Sequence, residues 1–81
     1  MNPSFTPAYL GRGIAYFRLG QYQMAIQSYD KAIQLISTYG RYGNSLALAY
    51  GVRSEAYGFW GQYEKAAADL AKACSLDSKY C

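Results

Sequence analysis

The sequence predicts an all-α fold built from two helix-turn-helix units, and three observations lead to this prediction. The chain repeats itself at an interval of 41 residues, which is the distance from Gly20 to Gly61. Within each unit the apolar residues recur every three or four positions, which is the period of an amphipathic helix. The pairs Gly20-Gln21 and Gly61-Gln62 each separate two such periodic segments and therefore mark tight turns between helices.

The duplication is dense along both units, as internal repeats of one structural unit require. The matching residues are Ala8-Tyr9 with Ala49-Tyr50, Arg12 with Arg53, Ala15-Tyr16 with Ala56-Tyr57, Gly20-Gln21-Tyr22 with Gly61-Gln62-Tyr63, Ala25 with Ala66, Lys31-Ala32 with Lys72-Ala73, and Leu35 with Leu76. We expect a single domain over 1–81. Repeat one covers about 6–39, a loop covers 40–44 and repeat two covers about 45–80.

The first repeat contains two predicted helices. The first begins at Thr6 as its N-cap, with Pro7 in the first helical position, where the missing N–H costs nothing. It runs to Leu19. The second helix runs from about Tyr22 to Thr38, and the glycines that follow it predict a loop.

The second repeat follows the same plan. Its first helix is capped by Asn44 or Ser45 and reaches about Trp60, and its second helix covers about Tyr63 to Leu76. Small residues recur where two helices are expected to cross closely, because a larger side chain would push the helix axes apart. These residues are Ala15, Ala25, Ala32, Ala56, Ala66 and Ala73.

Composition narrows the class of protein. The chain is 52% hydrophobic but only 16% charged, against about 25% charged in an average soluble domain, which excludes intrinsic disorder. Arginines and lysines interrupt every apolar stretch before it reaches the length of a membrane span, about 18 residues. The net charge of +3 comes from scattered side chains, so we expect no nucleic-acid partner.

The residue types offer little for catalysis. The chain has no histidine, and its five carboxylates stand apart from any partner base or nucleophile. Two cysteines by themselves cannot hold a zinc ion. We therefore expect no enzyme activity, no catalytic residue, no metal and no cofactor.

One pattern in the first repeat is specific. It consists of Tyr9, Arg12-Gly13, Ala15-Tyr16, Leu19-Gly20, Tyr22, Ala25-Ile26, Tyr29, Ala32-Ile33 and Leu35. This pattern resembles a tetratricopeptide repeat, in the variant with Arg-Gly inside the first helix. The resemblance implies a short right-handed α-solenoid that binds proteins without performing chemistry. The second repeat fits less closely, since Ser54 replaces the glycine, and the interval of 41 exceeds the 34 residues usual in the family.

In the family that this pattern resembles, the first helix of each repeat lines a concave groove that holds a peptide. Those positions often carry Lys and Asn that clamp a terminal carboxylate, whereas here they are largely apolar, so we expect no such clamp. The expected groove residues are Leu10, Ile14, Phe17, Arg18, Leu48, Val52, Glu55 and Phe59. They would accept an apolar peptide or helix, or another copy of the chain. The alternative is that tight curvature buries them within one array.

Two repeats are fewer than a solenoid usually needs, because each unit is stabilised mainly by its neighbours. Both end faces should therefore be apolar and uncovered. We expect copies to associate head to tail into a continuous solenoid or filament, since such a contact stays open unless its rotation closes a ring. A fragment of a longer array, or a small adaptor that binds one partner, are the alternatives.

Two further pairs of residues carry expectations. Arg12 and Arg53 recur at one repeat position, where we expect them to stack on tyrosines or to bond to helix ends of the adjacent unit. Cys74 and Cys81 would lie about 10 Å apart along a continuous helix, too far for a disulfide. A bond requires the tail to fold back, or Cys81 to reach a neighbouring subunit in an intersubunit disulfide. We expect such a cross-link in an oxidising compartment, whereas in the cytosol both cysteines should stay thiols.

The N-terminal residues show no signal peptide. The sequence does not determine the location, and the cytoplasm is only the default. An extracellular location stays open for a chain from which a signal was removed, or for a subunit of a surface filament.

Overall fold

The computed structural model describes the backbone of residues 6–39 and 43–81, and the side chains of residues 8–38 and 46–81. These residues form four α-helices, followed by a short 3₁₀-helix over Ser78–Tyr80. The α-helices are α1 (Thr6–Arg18), α2 (Tyr22–Tyr39), α3 (Gly43–Phe59) and α4 (Tyr63–Leu76). No described residue is in a strand, and the predicted all-α fold is confirmed. No helix within these ranges is long and apolar enough to cross a membrane.

The helix ends lie close to the predicted ones, and the main differences are at the boundary between the two repeats. α3 begins at Gly43, so residues 43 and 44, which we expected in the loop, are helical. α2 extends one residue further than predicted, to Tyr39. Residues 40–42 of the expected loop lie outside the described part of the chain, as does the side chain of the expected N-cap, Thr6.

Both repeats use the same turn between their helices. Gly20 has φ 78° and Gly61 has φ 84°, in the left-handed region that glycine adopts without a steric penalty. The next N–H, of Gln21, donates to the carbonyl of Tyr16 at 2.9 Å, and that of Gln62 donates to Tyr57 at 2.9 Å. These bonds satisfy carbonyls that the helix end leaves free, so the glycine both stops the helix and closes the turn.

The helices pack on their neighbours in the chain, α1 on α2, α2 on α3 and α3 on α4. This sequential packing is the arrangement of a short α-solenoid. The core lies mainly between α1, α2 and α3, and most of its fully buried side chains are alanine or isoleucine. Its members are Leu10, Ala25, Ile26, Tyr29, Ala32, Ile36, Ala49 and Ala56.

Four of the six alanines expected at helix crossings are fully buried: Ala25, Ala32, Ala56 and Ala73 are each 0% exposed. Ala66 is half-buried, and Ala15 is exposed. The prediction for Ala15 was therefore wrong. Among the described residues α1 packs chiefly on α2, so the side of α1 that bears Ala15 has no helix against it.

The contact between the two helices of a repeat is made by different residues in repeat one and repeat two. In repeat one, Tyr29 of α2 lies against Gly13 of α1, where a Cβ atom would come within 2.6 Å of ring atom Cδ1. In repeat two, Ser54 takes the place of the glycine, and its hydroxyl donates to the carbonyl of Ala66 at 2.7 Å. Tyr29 is 1% exposed, whereas its repeat equivalent Leu70 is 48% exposed. The large side chain at this position is therefore buried in repeat one and half exposed in repeat two.

The last residues fold back on α4. The helix ends at Leu76 because Asp77 is extended, with φ −151° and ψ 118°, and the Asp77 carboxylate accepts the backbone N–H of Lys79 at 3.1 Å. This turn brings Cys81 to Cys74, with a Cα–Cα distance of 4.8 Å, and the two form a disulfide within one chain. Of the two routes to a disulfide that the sequence left open, the structure therefore shows the tail that folds back. The other route, an intersubunit bond through Cys81, was wrong, because the same two cysteines pair within one chain.

Candidate functional site

A cleft of about 210 Å³ opens between α1, α2 and α3. Its lining combines apolar side chains with one cation and one anion. The lining residues are Ile14, Phe17, Arg18, Tyr29, Val52 and Glu55. Five of these six belong to the groove that the sequence predicted.

Helix geometry explains how α1 and α3 share this cleft. Ile14 is followed three and four positions later by Phe17 and Arg18, so all three lie on one side of α1. Val52 and Glu55 are three residues apart and share one side of α3. The walls therefore come from two first helices of successive repeats. Buried Tyr29 of α2 lies between them.

The cleft has an apolar interior and charged edges. Ile14, Phe17 and Val52 are half-buried and also pack against the core, so they hold fixed positions while part of each side chain faces the cleft. Arg18 and Glu55 are exposed. The arrangement can bury an apolar side chain of a ligand and can pair with charges of either sign beside it.

An aromatic cluster extends the apolar surface beyond the cleft. The ring centroids of Phe17 and Phe59 lie 5.4 Å apart, edge to face, and those of Phe17 and Tyr22 lie 5.6 Å apart. Tyr22 and Phe59 are stacked at 6.0 Å. Phe59 is still 68% exposed. A large aromatic side chain held by its neighbours yet open to solvent is a strong feature of a protein-binding surface.

The remaining expected groove residues differ in their environment. Leu10 is 7% exposed and belongs to the core, so it offers no surface to a ligand, contrary to our expectation. Leu48 is 39% exposed but does not line the cleft. The sequence did not predict that Tyr29 lines the cleft, because the apolar periodicity of α2 assigns this residue to the core. Tyr29 does belong to the core, and it lines the cleft as well. Its only signal was its place opposite Gly13 in the helix pair.

Burial raises the pKa of Tyr29 to about 12 from its ordinary 10.0, and the negative charge of Glu55 adds to the shift. Between these values the unfolded chain releases the tyrosine proton while the folded chain keeps it. The unfolded state then binds fewer protons, so the free energy of unfolding falls as pH rises from 10 to 12. We expect urea unfolding at pH 9 and pH 11 to show a larger loss of stability for the wild type than for Tyr29→Phe. Equal losses in the two proteins would contradict this assignment.

Arg53 of α3 forms an ion cluster that joins the two repeats. It donates from Nε and Nη2 to both carboxylate oxygens of Asp69, at 2.7 and 2.8 Å, and from Nη1 to Asp30 at 2.8 Å. The hydrogen bonds to Asp69 are the largest of the effects that raise the pKa of the Arg53 guanidinium above its ordinary value. Asp69 belongs to the same repeat and Asp30 to the preceding one, so the guanidinium fixes α3 against both neighbours.

The expected stacking of the repeated arginines is confirmed. The Arg53 guanidinium carbon lies 5.3 Å from the ring centroid of Tyr50 and 5.8 Å from that of Tyr57. That of Arg12 lies 5.8 Å from the ring centroid of Tyr16. The other alternative, a bond to helix ends, is not found for Arg53, whose hydrogen bonds go to the carboxylates of Asp69 and Asp30.

Comparisons with known proteins agree with this architecture. The sequence model of the tetratricopeptide repeat family matches residues 5–79. The chain is 35% identical over 69 residues to the mitochondrial import receptor subunit TOM70 of Rattus norvegicus, which covers 85% of this chain but only 11% of that protein. The comparison with solved structures finds no match. With a fold of paired helices, repeated Gly-Gln turns and a family match along almost its whole length, the chain belongs to the tetratricopeptide repeat family.

Proposed function

We propose that this chain is a protein-interaction module that binds an apolar segment of a partner protein in the cleft between α1 and α3. The observation that carries the proposal is the joint exposure of Phe59 and the apolar cleft wall beside it. Phe59 is 68% exposed and contacts Phe17, which lines the cleft. A partner that covers both would remove a continuous apolar surface from water.

The charges at the edges indicate what the partner segment carries. Arg18 attracts an acidic residue on one side of the apolar anchor, and Glu55 attracts a basic residue on the other. The matched receptor is far longer than this chain. Its name as an import receptor agrees with protein recognition as the role of the shared repeats.

Selection of peptides on the purified chain tests the proposal. A phage-displayed library of random dodecapeptides is selected on the wild-type chain, and the recovered peptides are synthesised and titrated by fluorescence anisotropy. We expect binders with at least one large apolar residue. Their Kd should rise at least tenfold on Phe59→Glu, which places a charge beside the cleft.

Tyr63→Glu is the matched control. Tyr63 is also an exposed aromatic residue, 74% exposed, but it lies at the start of α4 and does not line the cleft. We expect this variant to bind the same peptides within twofold of the wild type. The proposal fails when no peptide is recovered, or when the recovered peptides bind Phe59→Glu as tightly as the wild type.

Head-to-tail self-association is a second candidate function. Apolar side chains are exposed at both ends of the helix array: Leu19 after α1 is 71% exposed, and Leu70 and Leu76 of α4 are 48% and 44% exposed. Covering them with another copy would continue the solenoid. Sedimentation equilibrium over a hundredfold concentration range should then show a rising average mass. A monomer at every concentration would rule this candidate out.

A further inference from the structure

α3 packs against α2 through one face. Because the chain is a repeat, this face of α3 can be compared with the equivalent face of α1. The face contains Ala49, Arg53 and Ala56, at positions i, i+4 and i+7. Both alanines are 0% exposed and belong to a core whose other members come from α1 and α2. Arg53 adds the hydrogen bond to Asp30 of α2. Small residues that allow close approach, together with one arginine that binds a carboxylate, therefore make this joint.

α1 carries the same face, and no helix among the described residues covers it. The equivalent residues, 41 positions earlier, are Ala8, Arg12 and Ala15. Arg12 and Ala15 are exposed and Ala8 is half-buried. Leu19, four positions after Ala15, is 71% exposed. We call Ala8, Arg12, Ala15 and Leu19 the outer face of α1.

Arg12 lacks the carboxylate partners that Arg53 has. All five carboxylate side chains of the sequence belong to described residues, and within that part of the chain none forms an ion pair with Arg12. The position of Asp69 is taken in repeat one by Ser28, whose buried hydroxyl has no hydrogen-bond partner among the described residues. The Arg12 guanidinium therefore remains available to a carboxylate from another molecule.

We propose that the outer face of α1 docks an amphipathic helix of a partner protein that carries a carboxylate between two bulky apolar residues. α2 shows the required pattern: Asp30 is preceded four positions earlier by Ile26 and followed three positions later by Ile33. The apolar pair packs over the alanines of α1, and the carboxylate binds Arg12 as Asp30 binds Arg53. This face is separate from the cleft, so the proposal stands independently of the cleft's function. It is an alternative to head-to-tail association, which would also cover Leu19.

A second copy of the chain supplies a poorer helix for this face. The residues of α4 that are equivalent to Ile26, Asp30 and Ile33 are Ala67, Ala71 and Cys74. Ala71 cannot pair with Arg12, the two alanines and the cysteine offer little apolar surface, and Cys74 is bonded to Cys81. Because α4 has neither a carboxylate nor bulky apolar residues at these positions, a helix of another protein fits the outer face of α1 better than α4 of a second copy.

A synthetic copy of α2 is the probe that tests this proposal. The peptide covers residues 22–39 and is stapled between positions 23 and 27, which are exposed in α2, so that it is helical when free. Its binding to the labelled full chain is measured by fluorescence anisotropy. We expect saturable binding, and a Kd three- to tenfold weaker for the same peptide with Asp30→Asn. The chain variant Arg12→Gln should bind both peptides equally, because it has no cation to distinguish them.

Steric variants locate the bound peptide. Ala15→Glu should weaken binding at least tenfold, and Leu19→Glu serves as a second variant on the same face. Ala68→Glu changes an alanine on α4 that is also exposed and should leave binding unchanged.

Three results would overturn the proposal. The first is the absence of binding at millimolar peptide. The second is a difference in Kd between the two peptides that remains in the Arg12→Gln chain. That result would mean that the peptide carboxylate binds Arg53 and not Arg12. The third is a homodimer of the wild-type chain that Ala15→Glu dissociates, which would identify a second copy as the occupant.

Discussion

Replacing Arg53 by methionine should lower the free energy of unfolding by about 3 kcal/mol, because removal of one partner leaves a buried charge uncompensated. The side chain of Asp69 is 9% exposed, and both of its carboxylate oxygens accept hydrogen bonds from Arg53. Methionine keeps much of the apolar stem but provides no donor. A domain of this length has a total stability of only about 4–12 kcal/mol, so the loss should be visible as a large shift of the unfolding midpoint.

The repeat supplies the matched control for this substitution. Arg12→Met changes the same residue at the equivalent position, but Arg12 is exposed and pairs with none of the described carboxylates. Its cost should stay below about 0.5 kcal/mol, as for an ordinary surface substitution. Urea unfolding followed by circular dichroism measures both variants. Similar losses in the two would mean that the Arg53 cluster contributes little beyond its surface charge.

Asp30 should contribute less to stability than Asp69, although both bind the same guanidinium. Its side chain is 53% exposed, against 9% for Asp69, so water screens the pair with Arg53 and replaces it when it breaks. The contact with Asp30 nevertheless joins α2 to α3 across the boundary between repeats. Its main physical effect is therefore on how the two repeats are oriented, while the bond to Asp69 holds the second repeat together.

The fold could be predicted from the sequence because its signals are local and occur twice. A glycine in the left-handed conformation is needed wherever a helix must stop and reverse, and Gly20 and Gly61 mark both places. The apolar period then assigns the helices between the turns. Most of the cleft was predicted for the same reason, since residues three or four apart on one helix share a face wherever that helix packs.

The features that the sequence could not predict depend on contacts between distant residues. The recurrence of Arg12 and Arg53 indicated a structural role for both. Only the structure shows that Asp30 and Asp69 converge on Arg53. The sequence shows that Ser28 stands at the position of Asp69 in repeat one, but not that this deprives Arg12 of a partner. The sequence left open whether the cysteines pair within one chain or between chains. The answer depends on the extended backbone of the single residue Asp77, and the apolar periodicity gives no information about that residue.

Tyr29→Ala should be the most damaging of the substitutions considered, with an expected loss of about 3–5 kcal/mol. Tyr29 is 1% exposed and its ring lies directly against Gly13, which has no side chain that could move into the space. Truncation therefore leaves a cavity between α1 and α2, and the cost of a large-to-small change rises with the volume that stays empty. The free energy of unfolding, measured by urea titration, is the quantity to compare.

Leu70→Ala is the control at the equivalent position of repeat two. Leu70 is 48% exposed, so its truncation removes few buried contacts and should cost less than about 1 kcal/mol. A large difference between the two variants would show that the joint of α1 and α2 supplies more of the stability than that of α3 and α4. Equal costs would mean that Leu70 is covered in solution, and a contact between copies through α4 would then have to be sought.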